Sequence, residues 1–189
     1  MLKKDLRLKY ANLRKDLTPQ SISHFSLTIA NKLLSLPIWE GNYYHIFLPI
    51  STKNEVDTTF ILSILQGKDK NIVLPKMLDE NNLQHILLTD NTSLALNSWG
   101  VPEPKEGIDI PVDKIDVVFI PLMAFDLNGN RVGYGKGFYD NFLKNCRPDV
   151  IKIGLSFFEA VSEISDINTQ DISLDYCVTP AKIYSFKEL

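Results

Sequence analysis

Six short apolar runs punctuate the chain, at residues 43–50, 72–75, 86–88, 117–120, 153–157 and 176–179, and segments with a helical apolar period lie between several of them. Runs of this length suit strands buried on both faces, and apolar residues returning every three or four positions suit helices with one apolar stripe. Alternation of this kind restricts the chain to the α/β class, with a mostly parallel sheet covered by helices. At 189 residues and 44% hydrophobic content, the chain can remove about 70% of its extended-chain surface from water without disulfides or a structural metal. No repeat, low-complexity stretch or Gly/Ser/Pro-rich linker divides it, so residues 1–189 read as a single domain.

Local signals place the helices. Leu2, Leu6, Tyr10, Leu13 and Leu17 form the stripe of a first helix. Thr18 followed by Pro19 reads as an N-cap with a first-turn proline. Ile22, Phe25, Ile29, Leu33 and Leu36 then predict a second helix that Pro37 stops. Asp57 is placed to cap a helix over 58–66 that ends at Gly67. A last helix is expected over 138–146.

Charge and cysteine usage exclude several classes of function. Cys146 and Cys177 are too few and too isolated for a zinc pattern or a redox pair, and His24, His45 and His85 show no metal-ligand spacing. No signal peptide and no bilayer-length apolar stretch is visible, so a cytoplasmic monomer without membrane contact is expected. The net charge of −3 is uneven: residues 1–16 carry six basic residues against Asp5 and Asp16, a local +4, which leaves −7 for the remainder. An acidic body with one basic arm suits one small polyanion better than a nucleic acid.

The densest chemistry follows the run 117–120. Gly129, Gly133, Gly135 and Gly137, four of the nine glycines, fall within nine residues and lead into the last predicted helix. Glycines at alternate positions let backbone N–H groups approach an anion, and the start of a helix favours one. Arg131 and Lys136 add positive charge at the same place. The spacing fits neither the P-loop nor the dinucleotide fingerprint, so the reading is a phosphate site of another kind, with a solvated glycine-rich turn as the plainer alternative. Asp140 is a candidate magnesium ligand, or merely a helix cap. Asp171 and Asp175 are both candidates for a second carboxylate. Lys3 and Arg7 lie one helical turn apart, with Arg14 on the same azimuth, which suggests a basic face meeting the loop around one triphosphate. Glu55 follows the run 43–50 and falls at a strand's carboxyl end, where ligands of α/β sheets gather. Trp99 lies in a loop from which its ring can stack on a flat heterocycle, or simply pack.

Taken together, residues 125–140, with their FD, spaced glycines and closing YD, resemble the signature of the 5-formyltetrahydrofolate cyclo-ligase family. The segments 3–7, 55–58, 99–104 and 170–180 agree in order and separation, and Phe138 stands where that family more usually has tyrosine. The resemblance implies a three-layer α/β/α sandwich, similar to the sugar-phosphate isomerase and CoA-transferase folds. It implies ATP- and Mg²⁺-dependent conversion of 5-formyltetrahydrofolate to 5,10-methenyltetrahydrofolate, ADP and phosphate. Carried over by position, it implies ATP binding by Lys3, Lys4, Asp5, Leu6 and Arg7 and by Arg131, Val132, Gly133, Tyr134, Gly135, Lys136, Gly137, Phe138 and Tyr139. Lys136 and Arg131 become the catalytic cations, and Asp140 and Asp171 the magnesium ligands. Folate would meet Glu55, Ile50 or Leu48, residues 134–138, and Trp99. A sugar-phosphate isomerase or CoA transferase, and a non-catalytic binding module, are the competing readings; Lys3 and Arg7 have no use in an isomerase.

Overall fold

The chain runs α1 (Lys3–Lys15), α2 (Pro19–Leu33), β1 (Tyr43–His45), α3 (Thr59–Gly67), β2 (Asn71–Met77), β3 (Leu83–Leu87), β4 (Leu94–Leu96), β5 (Pro102–Pro104), β6 (Val117–Pro121), β7 (Ala124–Phe125), β8 (Arg131–Val132), α4 (Phe138–Lys144), β9 (Ile151–Leu155), β10 (Tyr176–Val178) and β11 (Ile183–Ser185). The structure, a computed structural model, describes residues 1–187. Seven strands form the main sheet in the order β11-β10-β9-β6-β1-β2-β3. The five inner strands are parallel, and β3 and β11 add antiparallel edges. Two small hairpins, β4–β5 and β7–β8, stand apart from it.

Side chains alternate across the sheet and divide the core. Val117 and Phe119 on β6 face the cluster that contains Ile29 and Leu33 of α2 and Ile61 and Leu65 of α3. Val118 and Ile120 face the opposite way, onto Phe142 and Leu143 of α4. Helices on both faces of a mostly parallel sheet give the expected three layers. The four α2 and α3 side chains have no solvent exposure, and each such burial stabilises the fold by about 1.5–3 kcal/mol. A third cluster joins Leu6 and Tyr10 of α1 to Met123, Ala124 and Val132 around the β7–β8 hairpin.

Caps and stops follow the sequence closely. Thr18 Oγ1 accepts from Ser21 N at 3.1 Å and Ser21 Oγ accepts from Thr18 N at 2.9 Å, a capping box with Pro19 in the first turn. Asp57 Oδ1 accepts from Thr59 N at 3.0 Å, at the start of α3. Several boundaries differ from expectation, β9 running over Ile151–Leu155 and β3 over Leu83–Leu87, and three have a local cause. α2 ends at Leu33 because Leu34, Ser35 and Leu36 bond back three residues instead of four, a tightening before Pro37. α4 closes in the same way at Asn145 and Cys146. The run 43–50 pairs only as far as the Ile46 N–H, which donates to Val73 O at 2.9 Å. Pro49 has no N–H to continue the ladder, and the chain leaves the sheet for a short 3₁₀ turn at Ser51–Lys53.

His45 of β1 and His85 of β3 lie beneath α4, their rings 4.6 and 4.2 Å from that of Phe142 and 5.2 Å from each other. His45 is 0% and His85 6% exposed. Burial pulls both pKa values down, that of His85 to about 4 and that of His45 well below 6.5, where the second ring adds to the effect. Both imidazoles are therefore neutral in the fold, whereas unfolded histidine takes a proton near pH 6.5. Their contribution is fully present above pH 6.5 and lost as pH falls toward 4. In denaturant titrations, His85→Phe is expected to weaken the acid dependence of stability by about 1.4 kcal/mol per pH unit in that window; identical slopes for the two proteins would refute this.

Candidate active site

The glycine-rich segment is built outward from a buried acid. Asp126 is fully buried; its Oδ1 accepts from Asn128 N and Asn130 N at 2.9 and 3.0 Å, and its Oδ2 from Ile164 N at 3.1 Å. These bonds shape the β7–β8 turn and deliver Arg131 inward, while Val132 packs with Leu6 and Tyr10. The loop then folds against α1, where Arg7 Nε donates to Gly133 O at 2.8 Å. Gly135, at φ +95°, lies so close to Arg7 that a Cβ there would sit 3.3 Å from Arg7 Cζ. Gly137, at φ +74°, turns the chain into α4. The basic arm and the glycine loop thus meet, as their charges suggested.

Two ion pairs close the site from the far side. Lys3 Nζ pairs with Asp171 Oδ2, which also accepts from Asn168 N at 2.8 Å. Arg131 Nη2 pairs with Asp140 Oδ1 at 2.7 Å, and that oxygen accepts from Ile172 N at 3.0 Å. Arg131 Nη1 donates to Ile172 O. Burial lowers the Arg131 pKa, and the charge of Asp140 opposes that shift. Lys136, by contrast, is exposed, pairs with no carboxylate among the described residues, and holds its Nζ 4.5 Å from the Trp99 ring centroid.

Opposite the loop lies Glu55, 5% exposed. Its Oε2 accepts from Ile50 N at 2.7 Å and its Oε1 accepts from the Tyr134 hydroxyl. Burial, then the Glu55 charge, raises the Tyr134 and Tyr139 pKa values, so both phenols stay protonated at neutral pH. The Tyr139 hydroxyl has no partner among the described residues.

These groups enclose a cavity of about 310 Å³ at the carboxyl ends of β1, β2 and β6. Of the residues singled out in the sequence, it brings together Lys3, Arg7, Leu48, Ile50, Glu55, Trp99, Arg131, residues 133–139, Asp140 and Asp171. Four of the ATP contacts implied by the resemblance do not reach it, and neither does Arg14. Lys4 and Asp5 are exposed on α1, turned away by the helical period that sends Lys3 and Arg7 inward. Leu6 and Val132 have no exposure and pack against each other in the core. Of the two competing acids, Asp171 lines the cavity; Asp175 instead accepts from Lys152 N at 2.7 Å and lies 2.9 Å from Lys152 Nζ. Trp99 is 53% exposed, on the turn of the β4–β5 hairpin, so core packing does not explain it. Pro75, Met77, Leu83 and Glu103 also line the cavity; the rule that ligands gather at strand carboxyl ends could have found Pro75, Glu103 falls in the segment 99–104, and nothing in the sequence marks Met77 or Leu83.

Comparison with known proteins identifies the family. Residues 1–180 match the profile of the 5-formyltetrahydrofolate cyclo-ligase family. The chain is 29% identical over 160 residues to the 5-formyltetrahydrofolate cyclo-ligase of Haemophilus influenzae, covering 82% of this chain and 85% of that one. It is similar in structure to the 5,10-methenyltetrahydrofolate synthetase of Aquifex aeolicus, with TM-score 0.84 and 29% identity, over 100% of this chain and 95% of the other. Against the 5,10-methenyltetrahydrofolate synthetase of Mycoplasma pneumoniae the TM-score is 0.75 and the identity 25%, over 99% and 100% of the two chains. By sequence and fold alike, the chain belongs to the 5-formyltetrahydrofolate cyclo-ligase family.

Proposed function

We propose that this cavity carries out the ATP-consuming conversion of 5-formyltetrahydrofolate to 5,10-methenyltetrahydrofolate, with its two halves serving the two substrates. The observation that carries the reading is a single cavity lined by the cations Lys3, Arg7 and Arg131 and by Glu55, Ile50 and Trp99, with residues 134–138 shared between a half assigned to each group and Lys136 over Trp99. The first half suits a triphosphate and the second a flat, hydrogen-bonding heterocycle.

An N-formyl oxygen is a poor leaving group. In the reaction we propose, that oxygen attacks the γ-phosphorus and ADP departs. N10 then adds to the activated carbon, phosphate leaves, and N10 gives up its proton as the ring closes. Phosphoryl transfer depends on positioning and on neutralising the oxygens of the moving group. Lys136 is placed for that role because no carboxylate occupies it, and the Arg131 charge reinforces it while its guanidinium holds Asp140. Trp99 under Lys136 would receive the p-aminobenzoyl ring, Glu55 the pteridine, and Ile50 or Leu48 its edge.

The residues fit a magnesium ion. Asp140 and Asp171 each commit one oxygen to two donors and leave the other without a partner among the described residues. Two such carboxylates, with phosphate oxygens and water, make the hard oxygen set that Mg²⁺ takes. Bound there, the ion would neutralise charge on the phosphate oxygens. The reading is of a monomer acting as one domain. No helix among the described residues is long and apolar enough to cross a membrane, which accords with a cytoplasmic enzyme; no nucleic acid has a part.

Incubation with 5-formyltetrahydrofolate and Mg-ATP should develop the methenyl chromophore with release of phosphate; binding of both ligands without that absorbance would make the protein a binding module instead. Lys136→Ala is expected to lower kcat by about 10²–10⁴-fold in the same assay, and near-normal turnover would remove it from the mechanism. For Arg7→Ala, the expected effect is a KM for ATP raised about tenfold, as for loss of one charged hydrogen bond, with a smaller change in kcat; an unchanged KM would detach α1 from the nucleotide. Chelation of divalent cations should abolish turnover, and addition of Mg²⁺ should restore it.

A further inference from the structure

Arg14 lies in the last turn of α1, where a basic residue ordinarily points to solvent, yet it is 5% exposed. It does not line the active cavity but lies behind Tyr134. Its Nη2 donates to Leu122 O at 2.6 Å and its Nη1 to the Tyr134 hydroxyl at 2.8 Å. A guanidinium only donates, and a phenol has a single hydrogen. With Arg14 on the Tyr134 oxygen, that hydrogen is committed to Glu55 Oε1.

The same arginine holds the Glu55 segment a second time. Asn54 Nδ2 donates to Arg14 O at 2.8 Å, and Asn54 adopts a left-handed φ of +46° immediately before Glu55. Glu55 itself is a buried carboxylate that pairs directly with no lysine or arginine among the described residues; its partners are the Ile50 N–H and the Tyr134 phenol. A buried carboxylate needs compensating charge as well as hydrogen bonds. Arg14 offers that charge one phenol away, bonded to the Tyr134 oxygen, whereas Lys53 Nζ lies over the face of the same ring, 4.2 Å from its centre, and bonds neither oxygen.

We infer that Arg14 is a positioning residue for folate recognition: it aims the Tyr134 hydroxyl at Glu55, fixes the carboxylate that meets the substrate's heterocycle, and leaves nucleotide binding to the other half of the cavity. This rests on the reading of Glu55 as a folate contact. It also gives Tyr134 a purpose beyond bordering the substrate, as the link between α1 and the Glu55 loop.

Steady-state kinetics with each substrate varied separately provide the test. Arg14→Met and Tyr134→Phe are each expected to raise the KM for 5-formyltetrahydrofolate about 10-fold or more; for Arg14→Met, whose side chain does not line the cavity, the KM for ATP should change less than about twofold. Because one residue acts through the other, the double variant should be no worse than the more affected single variant. Arg14→Lys, which keeps the charge but cannot hold both acceptors, should recover part of the loss, and it carries the same comparison if Arg14→Met fails to fold. Multiplying effects in the double variant, equal rises in both KM values, or an unchanged folate KM in the Arg14 variants would overturn the inference. Glu55→Gln separates the two levels. If it leaves the folate KM unchanged, the folate role of Glu55 falls and the inference with it; if it raises that KM while the Arg14 variants do not, only the inference falls.

Discussion

The buried guanidinium of Arg131 is the contact on which the site depends. It reaches Asp140 at the start of α4 and the carbonyl of Ile172 in the segment before β10, and Ile172 returns a hydrogen bond to the same carboxylate. Three stretches that are remote along the chain are thereby set in one place: the β7–β8 hairpin, α4 and the 171–172 segment. A buried pair of this kind contributes little net stability when intact but is costly to break from one side. Its value here lies in geometry, since it orients the carboxylate proposed for magnesium and leaves Lys136 as the unpaired cation of the loop.

The arrangement has a second consequence. Positive charge is distributed in two grades, with Lys3 and Arg131 tied to acids while Arg7 and Lys136 have no carboxylate partner among the described residues. The paired cations shape the site and the unpaired ones offer it a net attraction for an anion. On the side proposed for folate the same logic appears with the sign reversed, since the buried Glu55 meets the Arg14 charge through the Tyr134 phenol. Residues 134–138 border both proposed subsites, so movement of this loop would alter the two together.

Much of this was legible in the sequence. Periodicity located α1, α2 and α3, the Thr18-Pro19 pair marked the start of α2, and the apolar runs marked the parallel strands. The spaced glycines located the loop without any standard fingerprint. What escaped depended on contacts distant in sequence or on poor strand formers. β5 is Pro-Glu-Pro, which reads against a strand, so the hairpin that presents Trp99 was invisible. Lys4 and Asp5 were carried over with their neighbours as one stretch, although a helix turns adjacent residues to different faces. Arg14 reads as one more basic residue on a polar stripe, and only the folding of the loop against α1 reveals its burial. Nothing local distinguished Asp171 from Asp175; the separation comes from Lys3 and Lys152, which each claim one of them.

In the proposed reaction, one cavity sets the formyl oxygen of the folate against the terminal phosphoryl group of ATP. Transfer of oxygen tests it most directly. With ¹⁸O placed in the formyl group and a single turnover allowed, the inorganic phosphate released should carry the label, because that oxygen leaves as part of the phosphate. Unlabelled phosphate, with the ¹⁸O recovered in water, would show that the formyl oxygen is never phosphorylated and would contradict the account.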